Sequence, residues 1–133
     1  MPLALASAAM SRILIADDDG DLCEMLRLVL EKAGYEVDVA ADGEQAIRAY
    51  EQQPADVLIT DLFMPVRDGL ETVQFFRARH PALRIIAISG GGYSGQKTDH
   101  LSVARTAGAD LAFRKPFDVA RLLEGVRQLA PMK

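Results

Sequence analysis

The sequence predicts an α/β fold in which a parallel sheet of five strands is covered by helices on both faces. Two observations lead to this fold class. Short apolar segments alternate with amphipathic segments along the chain, which is the pattern of successive strand–helix units. Most of the apolar segments are continuous, as expected for strands that are covered on both faces, so the sheet is predicted to be doubly wound.

Five short segments are predicted to form the strands. They are RILIA (12–16), EVDVA (36–40), VLIT (57–60), RIIAIS (84–89) and LAFR (111–114). The segment at 36–40 alternates polar and apolar residues, which is typical of a strand at the edge of a sheet. With right-handed crossovers, an edge-like second strand favours the strand order 2-1-3-4-5.

Five amphipathic segments are predicted to form the helices, because their apolar residues recur at spacings of three and four. Gly34 is positioned to end the first helix with a left-handed cap, and Pro54 prevents the second helix from continuing. The apolar positions are Leu22, Met25, Leu26, Val29, Leu30 and Ala33; then Gly43, Ala46, Ile47 and Tyr50; then Leu70, Val73 and Phe76; a weaker segment at 98–107; and finally Val119, Leu122, Leu123, Val126 and Ala130.

The composition is that of one folded domain. At 133 residues the chain is long enough to bury a substantial core, and 50% of its residues are hydrophobic while 26% are charged. A net charge of −4 argues against direct binding of nucleic acid, which favours a basic surface. Cys23 is the only cysteine, which excludes an internal disulfide, and we predict that it is a small buried packing residue.

The chain ends are predicted to lie outside the fold. We expect a flexible tail over residues 1–11, one domain over residues 12–130 and a short C-terminal end over residues 131–133. The first residues lack the basic start and apolar core of a signal peptide, and no segment approaches the roughly 20 apolar residues that cross a bilayer. The sequence therefore predicts a cytoplasmic protein with no membrane contact.

Polar residues follow four of the predicted strands. Asp17, Asp18 and Asp19 follow the first strand, Asp61 the third, Ser89 ends the fourth, and Lys115 follows the fifth. Each type alone has a structural explanation, since Asp caps helices and Ser before glycines is common in turns. In doubly wound sheets, however, ligands bind at the carboxyl ends of the strands, beside the switch point between strands 1 and 3. The set therefore predicts one functional site.

The residue types indicate phosphoryl transfer. Clustered carboxylates raise one another's pKa unless a cation neutralises them, and Mg²⁺ prefers carboxylate and phosphate oxygens. An aspartate can also attack phosphorus to form an acyl phosphate. The transferred group then needs a metal ion, a lysine and hydrogen-bond donors around its oxygens, and the predicted site supplies all three requirements.

The acidic run after the first strand allows two interpretations. Read as D-x-D-G, Asp17 and Asp19 would be the nucleophile and the acid–base of a small phosphatase of the haloacid-dehalogenase type. Read as a doublet, Asp17 and Asp18 would hold a metal ion, and the nucleophile would lie elsewhere.

Residues later in the chain favour the doublet. The phosphatase also requires an acidic pair on a later strand, but after Lys115 the only acidic residues are Asp118 and Glu124, both in the last predicted helix. The phosphatase interpretation also gives no role to Asp61 or to the Met-Pro and Asp-Gly pairs that follow it. The phosphatase is therefore the weaker alternative.

Four segments resemble the receiver domain of response regulators, over essentially all of residues 12–130. They are ILIADDD, DVLITDLFMPVRDGLE, IIAISG and GADLAFRKPF. The second is the most specific, because an aspartate at a strand end is followed by Met64-Pro65 and then by Asp68-Gly69. The resemblance implies the flavodoxin-like strand order 2-1-3-4-5. It also implies a phosphoryl-accepting switch of a two-component system, with a histidine kinase or a phosphotransfer protein as the donor.

The resemblance also implies a role for each site residue. Asp61 would be the phosphoacceptor and a ligand of Mg²⁺. Asp18 would bind Mg²⁺ directly, Asp17 would act through water, and the backbone carbonyl of Phe63 would be a further ligand. The family tolerates many residues at the position of Phe63, and we hypothesise that its bulky apolar side chain limits access of water to the acyl phosphate and slows hydrolysis.

The remaining two site residues would contact the phosphoryl group. Lys115 would pair with it, and Ser89 would donate a hydrogen bond to one of its oxygens. The bond between Lys115 and Pro116 would be cis, as is usual in this family. The protein would catalyse part of its own phosphorylation and dephosphorylation without being a conventional enzyme.

The sequence departs from the family at the switch. The family couples the Ser or Thr of strand 4 to an aromatic residue three positions before the Lys, but Ala112 occupies that position here. Phe113 is one residue out of register and should point to the opposite face. We hypothesise that the loop GGGYSGQK (90–97) moves instead, because its glycines permit backbone changes, with Tyr93 in the aromatic role.

The predicted partners follow from the same resemblance. A downstream protein would bind the side formed by strand 4, helix 4, strand 5 and helix 5. The sequence ends at Lys133, directly after the fifth helix, so we expect a stand-alone receiver whose output is protein–protein contact. A homodimer is left open, and the alternative of a docking module that works without phosphate is disfavoured by the intact site.

Overall fold

The sheet contains the five predicted strands in the predicted order. A computed structural model describes residues 11–62, 69–89 and 100–131, except for the side chains of His100, Leu101 and Val103. Its strands are β1 (Arg12–Ala16), β2 (Glu36–Ala40), β3 (Val57–Asp61), β4 (Arg84–Ser89) and β5 (Leu111–Arg114). They form one sheet in the order β2-β1-β3-β4-β5, and every neighbouring pair is parallel. The predicted fold class is therefore confirmed.

Five helices follow the strands. They are α1 (Gly20–Lys32), α2 (Gly43–Gln52), α3 (Gly69–Arg79), α4 (His100–Ala107) and α5 (Val119–Leu129). The left-handed cap predicted after α1 is present, with Gly34 at φ 103° and the amide of Tyr35 donating to the carbonyl of Leu30. Among the described residues, no helix combines the length and apolar character needed to cross a bilayer.

The sheet separates two buried clusters, because successive side chains of a strand point to opposite faces. One face is covered by α1 and α5; its buried residues include Ile13, Ile15, Ile59, Ile86 and Ile88 from the strands and Leu26, Leu30, Leu122 and Val126 from the helices. The other face is covered by α2, α3 and α4; its buried residues include Leu14, Leu58, Ile85 and Ala87 together with Ala46, Val73, Phe76 and Ala104. This two-sided burial explains the continuous apolar strands.

At the ends of the chain, the fold extends slightly beyond the predicted domain. Ser11 is buried, its hydroxyl donates to the carbonyl of Pro131 at 3.0 Å, and its own carbonyl accepts from the amide of Glu36. Ser11 thus belongs to the domain, so a tail ends at residue 10 at the latest, and the rest of the predicted tail lies outside the described residues.

Arg77 joins α3 to the two loops that precede β4 and β5, at the end of the sheet away from the acidic residues. Its Nε and Nη2 donate to the carbonyl of Gly108 at 3.0 and 2.8 Å. Nη1 donates to the carbonyls of Pro81 and Leu83, and Nη2 also donates to Asp110. All five guanidinium donors are therefore used, and we call this arrangement the Arg77 brace.

Candidate functional site

The register of the sheet brings the predicted site residues to one edge. Ala16 pairs with Thr60 across β1 and β3, so the residues that follow them, Asp17 and Asp61, leave neighbouring strands at the same level. On the other side of β3, Asp61 pairs with Ile88, the residue before Ser89. The aspartates and Ser89 are almost completely buried although they are polar. Buried polar groups at the carboxyl ends of parallel strands mark this edge as the candidate site.

Lys115 connects the first and third strands through its side chain. Its Nζ lies 3.1 Å from Oδ2 of Asp17 and 3.4 Å from Oδ2 of Asp61. Its backbone amide donates to the carbonyl of Ser89 at 2.7 Å, and its bond to Pro116 is cis, as predicted. One ammonium therefore contacts both buried carboxylates.

The charge balance around Lys115 keeps it protonated. Burial lowers the pKa of the ammonium, but the hydrogen bond to Asp17 and the negative charge of Asp61 outweigh burial, so that the pKa is raised above its ordinary value. Lys115 is consequently a permanent cation at physiological pH, available to pair with a phosphoryl group as readily as with carboxylates.

Three carboxylates form a cluster of metal-ligand type. One oxygen each from Asp17, Asp18 and Asp61 can be chosen so that all lie within 4.8 Å of one another. Asp18 is exposed, whereas the other two are buried. All three groups offer hard oxygen atoms as ligands. Such a set fits a hard divalent cation such as Mg²⁺.

Both carboxylate oxygens of Asp17 are held by hydrogen bonds. Its Oδ1 accepts from the amide of Asp19 at 2.9 Å, while its Oδ2 accepts from Lys115. Asp19 itself caps α1, with its carboxylate accepting from the amide of Leu22. The D-x-D-G interpretation requires these two side chains to be nucleophile and acid–base, but both are already committed to holding the turn between β1 and α1.

Cys23 is a buried packing residue, as predicted, and it also contacts the site. The thiol lies 3.3 Å from the carbonyl oxygen of Asp17, to which it donates. Burial, followed by the negative charges of Asp17 and Asp19, raises the pKa of the thiol to about 11. The contact was missed from the sequence because Cys23 is simply one of the apolar positions on the inner face of α1.

The expected consequence of Ala112 is visible on β5. Ala112 packs on the face covered by α2, α3 and α4, whereas Phe113 packs on the opposite face. There the ring of Phe113 lies against α5 at Gly125, where an added Cβ would be 3.3 Å from the ring. Phe113 therefore takes no part on the face where the family's aromatic residue belongs.

Several predicted features lie outside the described residues. They are the backbone carbonyl and side chain of Phe63, the Met64-Pro65 and Asp68 parts of the motif, and the loop 90–97 with Tyr93. Their roles remain predictions. The described part of the motif, Gly69, lies against the backbone of Asp61, a contact considered in detail below.

Comparison with known proteins identifies a family for most of the chain. The model of the response regulator receiver domain matches residues 13–127. The transcriptional regulatory protein PrrA of Mycobacterium tuberculosis is 33% identical over 118 residues, which is 89% of this chain and 49% of that protein. The chain thus spans about half the length of PrrA.

Two further proteins match this chain over almost their whole length. The sporulation initiation phosphotransferase F of Bacillus subtilis is 29% identical over 122 residues, covering 92% of this chain and 95% of that protein. The structure of the chemotaxis protein CheY4 of Vibrio cholerae superposes with a TM-score of 0.79 at 30% identity, covering 91% of this chain and 99% of that one. The names of these three proteins refer to transcription, sporulation and chemotaxis. The proteins thus share similarity to this chain but are named for different cellular processes.

Proposed function

This chain belongs to the response regulator receiver family of two-component signalling, and we propose that it accepts a phosphoryl group on Asp61 from the phosphohistidine of a histidine kinase or a phosphotransfer protein. The observation that carries this proposal is the position of Lys115, whose ammonium contacts Asp17 and Asp61 at once. A cation held at this position can neutralise the charge that develops on the transferred group.

The position and burial of Asp61 favour it as the nucleophile. Asp17 has both carboxylate oxygens in hydrogen bonds to Asp19 and Lys115, which lowers its nucleophilicity. Asp18 is exposed, so water surrounds it and hydrolysis of an acyl phosphate there would be fast. Asp61 is buried at the end of the central strand, where water is largely excluded, and its Oδ2 lies 3.4 Å from the Lys115 ammonium.

The transfer itself exchanges one bond at phosphorus for another. An oxygen of Asp61 forms the new bond to phosphorus while the bond from phosphorus to the imidazole nitrogen of the donor breaks, and the imidazole leaves with the electron pair. Lys115 then pairs with the phosphoryl oxygens, and the Ser89 hydroxyl donates to one of them. Both roles are part of the proposal.

Asp17, Asp18 and Asp61 would hold Mg²⁺, with Asp17 acting through water as the resemblance implies. When bound, the ion supplies positive charge to a cluster of three carboxylates. The carbonyl of Phe63 completes the proposed ligand set. The chain's own contribution is to hold the carboxylates in the same small volume before the ion arrives.

The donor is proposed to approach over the surface between α1 and the start of α5. A recess of 410 Å³ lies there, lined by Leu22, Met25, Phe117 and Val119 together with Asp19 and Lys115. Met25 is 37% exposed although it is apolar. Because a phosphoryl group in transfer must touch both proteins, an apolar recess that reaches Lys115 suits the donor's contact surface.

The output is proposed to leave through the side formed by β4, α4, β5 and α5. A phosphoryl group adds about 1.5 to 2 negative charges next to Ser89, whose backbone bonds to Lys115. With Ala112 in place of an aromatic residue, a switch cannot depend on a ring that turns inward, so the loop 90–97 is proposed to respond. A cytoplasmic location and a homodimer remain predictions.

Intact-mass spectrometry after treatment with acetyl phosphate and Mg²⁺ tests the proposal. The wild-type protein is expected to gain about 80 Da, the mass of one phosphoryl group, and Asp61→Asn is expected to gain nothing. An adduct that persists in Asp61→Asn but disappears in Asp17→Asn would support the phosphatase alternative. A protein that never gains mass would support the docking module that works without phosphate.

A further inference from the structure

Helix α3 begins in direct contact with the backbone of the proposed phosphoacceptor. The amide of Gly69 donates to the carbonyl of Leu62 at 3.1 Å, which ties the start of α3 to the end of β3. A Cβ added to Gly69 would overlap the carbonyl oxygen of Asp61, and it would lie 2.5 Å from the Cα of Leu62 and 2.7 Å from the carbonyl carbon of Asp61. Only a hydrogen atom fits on this side of Gly69.

The requirement for glycine at this position is a matter of space. What excludes a side chain is the main chain of Asp61 and Leu62. These obstructing atoms are backbone atoms, which cannot rotate away as the end of a side chain can.

The backbone at Asp61 is also held by its other neighbours. The hydroxyl of Thr60, which is fully buried, donates to the carbonyl of Asp61 at 3.1 Å. The amide of Leu62 donates to the carbonyl of Ile88 on β4 at 2.9 Å. Because β3 is the central strand and is paired on both sides, it cannot shift toward a neighbour without breaking this pairing.

We propose that Gly69 is a positioning residue for the phosphoacceptor, and that it acts with Thr60 to set the position of the Asp61 peptide. This inference rests on the proposed function. Ordinary contacts of a Cβ begin at 3.4 Å, so an alanine must push the two backbones apart by about 1 Å, and a misplacement of about 1 Å can cost about 10²-fold in rate. Asp61 then moves relative to Lys115, which follows β5 and does not move with β3.

The test is Gly69→Ala with two matched glycine controls. Gly20 also opens a helix directly after an acidic strand end, but a Cβ there has nothing within 4 Å. Gly125 lies inside α5, where a Cβ would meet side-chain atoms of Leu111 and Phe113 at 3.0 and 3.3 Å. Gly20→Ala controls for a substitution near the site, and Gly125→Ala controls for a general loss of stability.

The measurement is the rate of acyl-phosphate formation at saturating acetyl phosphate and Mg²⁺, by intact mass, at a temperature where circular dichroism shows each variant to be folded. We expect Gly69→Ala to react about 10²-fold more slowly than wild type, and Gly20→Ala and Gly125→Ala to react at the wild-type rate. A purely structural role would lower the folded fraction but would leave the rate per folded molecule unchanged.

The outcomes separate this inference from the proposed function. If the wild-type protein gains no phosphoryl group, the proposed function fails. If the wild type reacts and folded Gly69→Ala reacts as fast, the positioning role of Gly69 is overturned while the proposed function stands. If Gly69→Ala does not fold, Thr60→Val decides, because it keeps the side-chain shape and removes one hydrogen bond to the Asp61 carbonyl. We expect about a five-fold slower rate for it, and a wild-type rate would overturn the inference.

Discussion

Replacing Lys115 by methionine should destabilise the domain, because it removes the ammonium from between two buried carboxylates. Asp17 and Asp61 are 3% and 5% exposed, and both accept from Lys115. Removing one partner of a buried ion pair costs about 3–5 kcal/mol. Since 24% of the Lys115 side chain is exposed, solvent screens part of the repulsion, and we expect the free energy of unfolding to fall by about 2 kcal/mol.

Chemical and thermal unfolding followed by far-UV circular dichroism measures this effect, since the chain has no tryptophan. In the presence of EDTA, the midpoint temperature of Lys115→Met is expected to fall by about 6–8 °C for a domain of this size. Saturating Mg²⁺ should stabilise Lys115→Met more than wild type, because a bound divalent ion replaces the missing positive charge.

The pH dependence follows from the raised pKa of Lys115. Its stabilising effect is fully present below its ordinary pKa of 10.5 and is lost as the pH rises through the raised value. The difference between wild type and Lys115→Met should therefore be constant from about pH 7 up to the ordinary pKa of 10.5 and shrink above it. Lys32→Met, at the exposed end of α1, is the matched control. Equal stability of the two variants in EDTA would refute the reasoning.

Three further predictions concern other parts of the molecule. Arg77→Ala should lower the free energy of unfolding by about 3 kcal/mol, because three backbone carbonyls and the Asp110 carboxylate lose their donors. Arg79→Ala loses only a contact over the partly buried ring of Phe75 and should cost about 0.5 kcal/mol; equal losses would contradict the Arg77 brace. Cys23 should not react with a thiol reagent at about pH 8 until the protein unfolds, because it is buried and its pKa is raised to about 11; rapid labelling of the native protein would be the contrary result. Met25→Glu should slow phosphoryl transfer from the cognate kinase by about ten-fold and leave transfer from acetyl phosphate unchanged, while Val39→Glu, at a comparably exposed position on β2, should change neither rate.

Much of the fold follows from local patterns. The five strands were predicted to within one residue, the one difference being that β3 includes Asp61. A continuous apolar segment indicates a strand that is buried on both faces. The alternating segment at 36–40 indicates a strand at the edge of the sheet, where Val39 is 43% exposed. The end of α1 follows from Gly34 because a left-handed residue is needed there. Ser11 was missed because its hydrogen bond to Pro131 joins residues 120 positions apart.

What the sequence predicted by itself is which polar residues follow the strands and the edge of the sheet where they gather, because strand order and direction place every carboxyl end on one side. The tertiary structure alone decided which atoms meet there. Lys115 donates to Asp17, 98 positions away in the sequence, and to Asp61, 54 positions away. Cys23 contacts the carbonyl of Asp17, and the start of α3 places Gly69 against the Asp61 peptide. Such contacts depend on how closely each helix packs on the sheet, and residue spacing along the chain carries no information about that distance.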